Sequence, residues 1–250
     1  MKPFLLLATR AVDRAADSEY EAMLRFSGLD ERHLRRVRLE QGPLGPVDLD
    51  DWSGVILGGG PFNASDRQKS DVQRRVEEEI GTLLDEIVPR DFPFLGACYG
   101  IGTLGLHEGA IVDRTYSEPV GPMTITLTDQ GRDDQLLQGL PPTFEAFLGH
   151  KEAIRTLPPH AVNLASSPTC PVQAFRVGRN VYATQFHPEL DVDGIQTRID
   201  VYKHAGYFAP EEAETLKARA RASTVVHPPA ILRRFVELFA DGGGDPGRSR

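Results

Sequence analysis

The chain has 250 residues, with 28 Lys and Arg against 36 Asp and Glu and a formal charge of −8. That balance argues against a broad phosphate-binding surface, and so against nucleic acid as a partner; no stretch approaches the roughly 18 apolar residues of a membrane span. The two cysteines, Cys98 and Cys170, make no disulfide framework, which leads to the expectation of a reducing, cytoplasmic setting.

Taken in chain order, Phe4 to Ala8 reads as a buried strand. The apolar run from Met1 is too short for a secretory leader, and Thr9-Arg10 ends it. Ser18 to Ser27 reads as a helix. Arg32 to Arg38, flanked by Asp30, Glu31 and Glu40, reads as solvated surface. Val55 to Leu57 is a second apolar strand, running into Gly58-Gly59-Gly60-Pro61. Between Asp66 and Val88, residues Val72, Val76, Ile80, Leu83, Leu84 and Ile87 recur at helical spacing. Phe94 to Ala97 is a third strand, and a helix-compatible segment follows it. Met123–Leu127, Phe144–Leu148, Asn163–Ser166 and Val172–Val177 read as further strands, in part antiparallel. Val181 to Phe186 is β-branched and aromatic, and Pro188 stops it.

After Glu189 the character turns helical: Ile195–His204, Pro210–Ala222, and Pro228–Phe239, which carries an apolar stripe. Asp241 to Arg250 has no apolar side chain to bury and reads as a disordered tail. Strands alternating with long amphipathic helices predict an α/β fold, a mainly parallel sheet with helices on both faces. Ligands in such sheets sit at the carboxyl ends of the strands. The expected organisation is one domain over residues 1–192, a helical extension over 193–240 packed on it, and the tail 241–250.

The chemistry concentrates at Gly96-Ala97-Cys98-Tyr99-Gly100, an apolar strand turning into a helix through Gly-x-Cys-x-Gly. This is the pattern of a nucleophile elbow, and a helix N-terminus behind the sulfur favours its thiolate. A lone cysteine is more often a small buried hydrophobe; the flanking glycines and the strand-to-helix context reverse that preference. A base candidate, His187, stands at a strand end with Glu189 two residues on to orient its ring, which completes the three roles of a triad. The glycine loop offers amides at Gly59 and Gly60, and the elbow one at Tyr99, to a developing oxyanion. No zinc-ligand spacing appears, and neither a metal nor a cofactor is expected.

These motifs together resemble the class I glutamine amidotransferases of the Cys-His-Glu type. The glycine loop matches Gly58 to Pro61, the cysteine elbow Gly96 to Gly100, and the Phe-His-Pro-Glu motif Phe186 to Glu189. The likeness spans about residues 4 to 190 and is nearest to stand-alone domains like the amidotransferase part of GMP synthase. It implies a flavodoxin-like fold, catalytic Cys98, His187 and Glu189, and an oxyanion hole at Gly59, Gly60 and Tyr99. The implied reaction is hydrolysis of the glutamine side-chain amide, with ammonia passing to an acceptor. No Walker A loop is present, so such an acceptor belongs to a separate synthetase polypeptide.

Two positions depart from the family pattern. Gly102 stands where the family commonly has a substrate-contacting glutamine, and Gly149-His150-Lys151-Glu152 stands in place of Ser-His-x-Asp. Gly102 and His150 are therefore the substrate-binding candidates, with Gly102→Gln expected to improve hold on glutamine. The departures keep open a stand-alone hydrolase of γ-glutamyl amides or peptides; a non-catalytic binding protein of the same fold is the third reading. In cysteine hydrolases of the α/β-hydrolase fold the acid precedes the histidine, whereas Glu189 follows it.

Overall fold

The computed structural model describes residues 1–240; the tail read as disordered, 241–250, lies outside them. The first half of the chain runs β1 (Phe4–Ala8), α1 (Asp13–Ser27), β2 (Leu34–Arg38), β3 (Gly54–Leu57), α2 (Asp71–Ile87), β4 (Phe94–Ala97) and α3 (Tyr99–His107). Next come β5 (Ile111–Asp113), β6 (Glu118–Leu127), α4 (Asp129–Arg132), β7 (Thr143–His150), β8 (Ala153–Thr156), β9 (Val162–Ser166) and β10 (Ala174–Val177). The chain continues through β11 (Val181–Thr184), α5 (Val192–Val201), α6 (Ala213–Arg221) and α7 (Pro229–Phe239).

Nine strands form one sheet in the order β2-β1-β3-β4-β11-β10-β9-β6-β7, and β5 pairs with β8 apart from it. The five strands from β2 to β11 are parallel, and β10, β9, β6 and β7 continue antiparallel. Alternation along β1 shows why both faces are covered. Phe4 and Leu6 point into one core with Met23 of α1 and Ile231, Leu232 and Phe235 of α7. Leu5 and Leu7 point into the other, with Val76, Ile80 and Leu84 of α2 and Leu104 of α3. A strand buried on both faces reads as an unbroken apolar run, which is why FLLLA carries no polar alternation. A third cluster joins Phe147 of β7 to Ile195 and Ile199 of α5 and Leu216 of α6, so the helices after Glu189 pack back on the sheet.

Three expectations need correction, and two short strands went unread. Arg32–Arg38 contains β2, an edge strand. Arg36 and Arg38 lie along α1, Arg36 2.9 Å from Asp17 and stacked on Tyr20, and Arg38 2.6 Å from Asp13; Arg35 is exposed. Charged edge strands resist pairing with other chains, which explains a basic run inside a sheet. The helix expected from Asp66 starts at Asp71, where the Ser70 hydroxyl accepts from the Gln73 amide at 3.1 Å. Val72, counted into its apolar stripe, is exposed. The short strands β5 and β8 escaped the sequence reading, because three- and four-residue strands with polar ends carry little periodicity.

Candidate active site

Three adjacent parallel strands assemble the site. Leu57 at the end of β3 pairs with Gly96 of β4, and Ala97 of β4 pairs with Thr184 of β11. The segments leaving these strands therefore emerge side by side at one sheet edge: Gly58 to Pro61, Cys98, and Gln185 to Glu189. A spacing of about ninety residues in sequence becomes a neighbour relation through the sheet order.

Cys98 caps α3 with φ +54° and ψ −90°, a left-handed conformation uncommon outside glycine. Its amide donates to Thr184 O at 2.8 Å, which ties the bend to β11. The turn is tight enough that a Cβ on Gly96 would lie 2.9 Å from the Gly100 carbonyl carbon. Glycine two residues before the cysteine is thus a steric requirement. Gly59 is under the same constraint from the site itself. A Cβ there would meet Arg10 Nη2 at 2.6 Å and His187 Cε1 at 2.7 Å, with Cys98 Cβ at 3.5 Å. The four residues close around one small volume. The amides of Gly59, Gly60 and Tyr99 donate to no group among the described residues, and Gly60, Cys98 and Tyr99 line a common pocket.

His187 is buried, and its Nδ1 lies 2.7 Å from Oε1 of the fully buried Glu189. Cys98 and His187 line one cavity; among the described residues no hydrogen bond joins the sulfur to the ring. Catalytic hydrogen bonds often tighten only when substrate is bound. Burial pushes the Cys98 thiol up to about 11, against the pull of Arg10 and Arg198. Burial also drives His187 down to about 4, which Glu189 opposes and Arg198 reinforces. Both shifts favour the neutral pair of thiol and imidazole over a ready thiolate at the helix N-terminus.

The sequence reading missed a buried charge cluster behind the histidine. Arg10, from the end of β1, donates to Glu19 Oε1 of α1 at 2.8 Å and to the Tyr202 hydroxyl at 3.3 Å. Arg198 of α5 donates to Glu189 Oε1 at 2.7 Å and to Glu19 Oε1 at 3.1 Å. Burial works against the Glu189 charge, but His187 and Arg198 outweigh it and hold the carboxyl well below its usual range. Arg198 also places Nη1 2.9 Å from His187 Nδ1. A guanidinium only donates and a carboxylate only accepts, so the two contacts at Nδ1 call for opposite protonation of one atom. With the proton on Nδ1, Glu189 is satisfied and Nε2 is free to act as a base; with Nδ1 bare, Arg198 is satisfied and Nε2 carries the proton. The one signal for Arg10 was a charged residue closing an apolar strand; Arg198 looked like an ordinary charge on an amphipathic helix.

The two substrate candidates take different places. Gly102 lines the pocket beside Cys98, but the space above it is occupied. A Cβ there would lie 2.9 Å from Glu152 Oε1, and that carboxylate accepts from the Ala64 amide at 2.6 Å and from the Ser65 amide and hydroxyl at 2.8 and 2.5 Å. The His150 ring is turned inward: Nδ1 lies 2.8 Å from Glu152 O and Nε2 2.8 Å from Glu118. His150 also lines the pocket beside Cys98 and Gly102, and its contact with Glu152 O ties down the turn that carries Glu152. Glu118, His150 and Cys170 bring their donor atoms within 4.8 Å of one another. Glu118 there already accepts from Ser167, Thr169 and Gln173, so both of its carboxylate oxygens are engaged.

The description "Glutamine amidotransferase class-I" belongs to the family whose model matches residues 36–199. Relatives include a subunit of the glutamine-hydrolyzing GMP synthase of Thermoplasma volcanium, 31% identical over 57% of this chain and 65% of its own length. The corresponding GMP synthase subunit of Methanobrevibacter smithii is 30% identical over 58% of this chain and 67% of its own. The chain thus spans about two thirds of the length of these relatives. Among solved structures, a glutamine amidotransferase of Thermotoga maritima superposes with a TM-score of 0.77 at 21% identity, covering 96% of this chain and 99% of that one. One from Methylobacillus flagellatus gives 0.71 at 18%, covering 100% and 98%. At these identities the likeness is one of fold: a mixed α/β architecture with a mostly parallel central sheet. Among the described residues no helix is long and apolar enough to cross a membrane.

Proposed function

Because the chain belongs to the class-I glutamine amidotransferase family, we propose that it hydrolyses the side-chain amide of glutamine through a Cys98 thioester. The observation that carries this reading is the convergence of three strand ends on one volume. The elbow cysteine, the glycine loop and a histidine bound to a buried glutamate at 2.7 Å lie side by side there.

In this reading His187 Nε2 takes the Cys98 proton as the sulfur attacks the carboxamide carbon. Attack and deprotonation are concerted, since burial disfavours a free thiolate. Backbone amides at Gly59 or Gly60 and at Tyr99 hold the tetrahedral oxyanion, each worth about 3 kcal/mol in the transition state. Glu189 keeps the proton of His187 on Nδ1 and stabilises the imidazolium that forms. The imidazolium then protonates the leaving nitrogen, the C–N bond breaks, and water cleaves the thioester to glutamate. Ammonia passes to an acceptor site on a separate synthetase polypeptide, a division of labour supported by relatives that are themselves named as one subunit of GMP synthase. Residues 1–192 form the amidotransferase domain, and the extension 193–240 completes the site by bringing Arg198 to the histidine. No cofactor takes part.

The test is glutamate release from glutamine by the purified chain, compared with Cys98→Ala and His187→Ala. Weak activity is expected without the partner, abolished in Cys98→Ala and cut by orders of magnitude in His187→Ala. Wild-type rates in Cys98→Ala would refute the assignment. A stand-alone γ-glutamyl amide hydrolase is the second reading, favoured by an apolar cavity beside the nucleophile.

A further inference from the structure

Two cavities share Cys98 and Gly60 but differ in character. One, of about 20 Å³, is bordered by Asn63, Gly102, Glu152 and Gln185, and His187 has no part in it. The other, of about 60 Å³, includes His187 and is walled by Val120, Leu148, Ile195, Ile199 and Phe208. In amide cleavage the leaving nitrogen is the atom that receives the proton from the histidine. Whatever is bonded to that nitrogen therefore lies on the His187 side of the sulfur. Ammonia carries no substituent and leaves such an apolar space without an occupant.

We infer that the cavity walled by Val120, Leu148 and α5 is a leaving-amine subsite for γ-glutamyl amides of short, uncharged alkylamines. The inference rests on the second reading above, a γ-glutamyl amide hydrolase, and adds its substrate class. The volume corresponds to roughly two waters' share of liquid, room for an ethyl or propyl group. A cationic amine is excluded by Arg10 and Arg198, which both border the cavity. A carboxylate-bearing amine is the competing occupant, because Arg10 Nη2 donates to no residue among those described. The remaining charges favour the neutral group: Glu19 and Glu189 already balance the two arginines. The reaction keeps its balance. Cys98 sulfur bonds to the carbonyl carbon, the C–N bond breaks, the alkylamine leaves with the proton from His187, and water releases glutamate from the thioester.

The experiment measures glutamate release by the purified chain from glutamine, γ-glutamylethylamide and γ-glutamylglycine under identical conditions. Each buried methylene contributes about fourfold, so kcat/KM on the ethylamide is expected to exceed that on glutamine by about tenfold or more, with γ-glutamylglycine below it. Val120→Phe, at a half-buried position of β6, is expected to lower the ethylamide-to-glutamine ratio about tenfold, and Ile195→Phe serves as the second filling variant, both checked for folding by thermal melts. Cleavage of glutamine with the ethylamide inert, or a preference for γ-glutamylglycine, would overturn the subsite and leave the catalytic site standing. No glutamate from any of the three, with Cys98 also unreactive to a glutamine-like electrophile, would overturn the site and the subsite together.

Discussion

Glu189→Gln removes one charge and leaves the shape of the cluster behind His187. In the wild-type chain, Glu189 Oε1 at 2.7 Å and Arg198 Nη1 at 2.9 Å compete over the protonation of Nδ1. Without the carboxylate, the guanidinium prevails, Nδ1 becomes an acceptor, and the proton moves to Nε2, where it blocks the base. A hydrogen bond to a charged group is worth about 1.5–3 kcal/mol, so the productive tautomer falls by a factor of about 10 to 150. Loss of imidazolium stabilisation adds to this, and asparagine in place of a triad aspartate costs about 10⁴ in a serine protease. Arg198→Met in the Glu189→Gln background removes the competing donor. The double variant is therefore expected to be about 10- to 150-fold more active than Glu189→Gln alone, a non-additive rescue. It also removes both members of the buried pair, and so avoids the penalty of about 3–5 kcal/mol for leaving one charge unpaired. The assay is kcat for glutamate release by the wild type, both single variants and the double, with ¹⁵N shifts of the imidazole reporting the tautomer. A double variant no more active than Glu189→Gln, with a Nδ1-protonated ring in both, would refute the competition.

Gly59→Ala is expected to abolish activity, because its Cβ would meet Arg10 Nη2 at 2.6 Å and His187 Cε1 at 2.7 Å; residual activity above about a tenth of wild type would contradict that packing. Gly102→Gln is expected to lower kcat/KM for glutamine, reversing the expectation from the family pattern, since Glu152 Oε1 stands 2.9 Å from the new Cβ; a lower KM would show that Glu152 yields. The acid limb of kcat/KM is expected near pH 4, with activity present above it and lost as His187 takes a proton below it. Arg198 lowers that value, so Arg198→Met moves the limb upward; an unchanged or lower limb would separate Arg198 from the base. Cys98→Gly is expected to raise stability by about 1–3 kcal/mol while ending activity, by relieving the +54° φ of the elbow; denaturant unfolding without such a gain would mean that no strain is held there.

What was legible in the sequence follows from range. The elbow could be read because strand, glycines and helix are consecutive, and each glycine answers to atoms a few residues away, as Gly96 does to Gly100. The parallel strands β1, β3, β4 and β11 could be read because burial on both faces makes them continuous apolar runs. The edge strand β2 could not, because Arg36 and Arg38 serve α1 through ion pairs and leave only Leu34 fully in the core. The cluster of Arg10, Glu19, Glu189 and Arg198 was equally hidden. Its members come from four separate segments, and nothing local distinguishes a buried arginine from a solvated one on an amphipathic helix. Glu152 filling the space over Gly102 is a long-range substitution of the same kind: a missing side chain seen in sequence as room is taken up by another residue.

The central claim is that Cys98 is the nucleophile of a glutamine-type site, and alkylation by a glutamine-like electrophile read by peptide mass spectrometry tests it most directly. Both cysteines are free thiols, and burial raises both to about 11, so general thiol reactivity does not distinguish them. Cys98 shares a cavity with His187 and has unpaired amides beside it, whereas the histidine near Cys170, His150, has both ring nitrogens engaged by Glu152 O and Glu118. The account predicts stoichiometric labelling of Cys98, protection by excess glutamine, and no label at Cys170 or in His187→Ala. Labelling at Cys170, or equal labelling of Cys98 with and without His187, would contradict it.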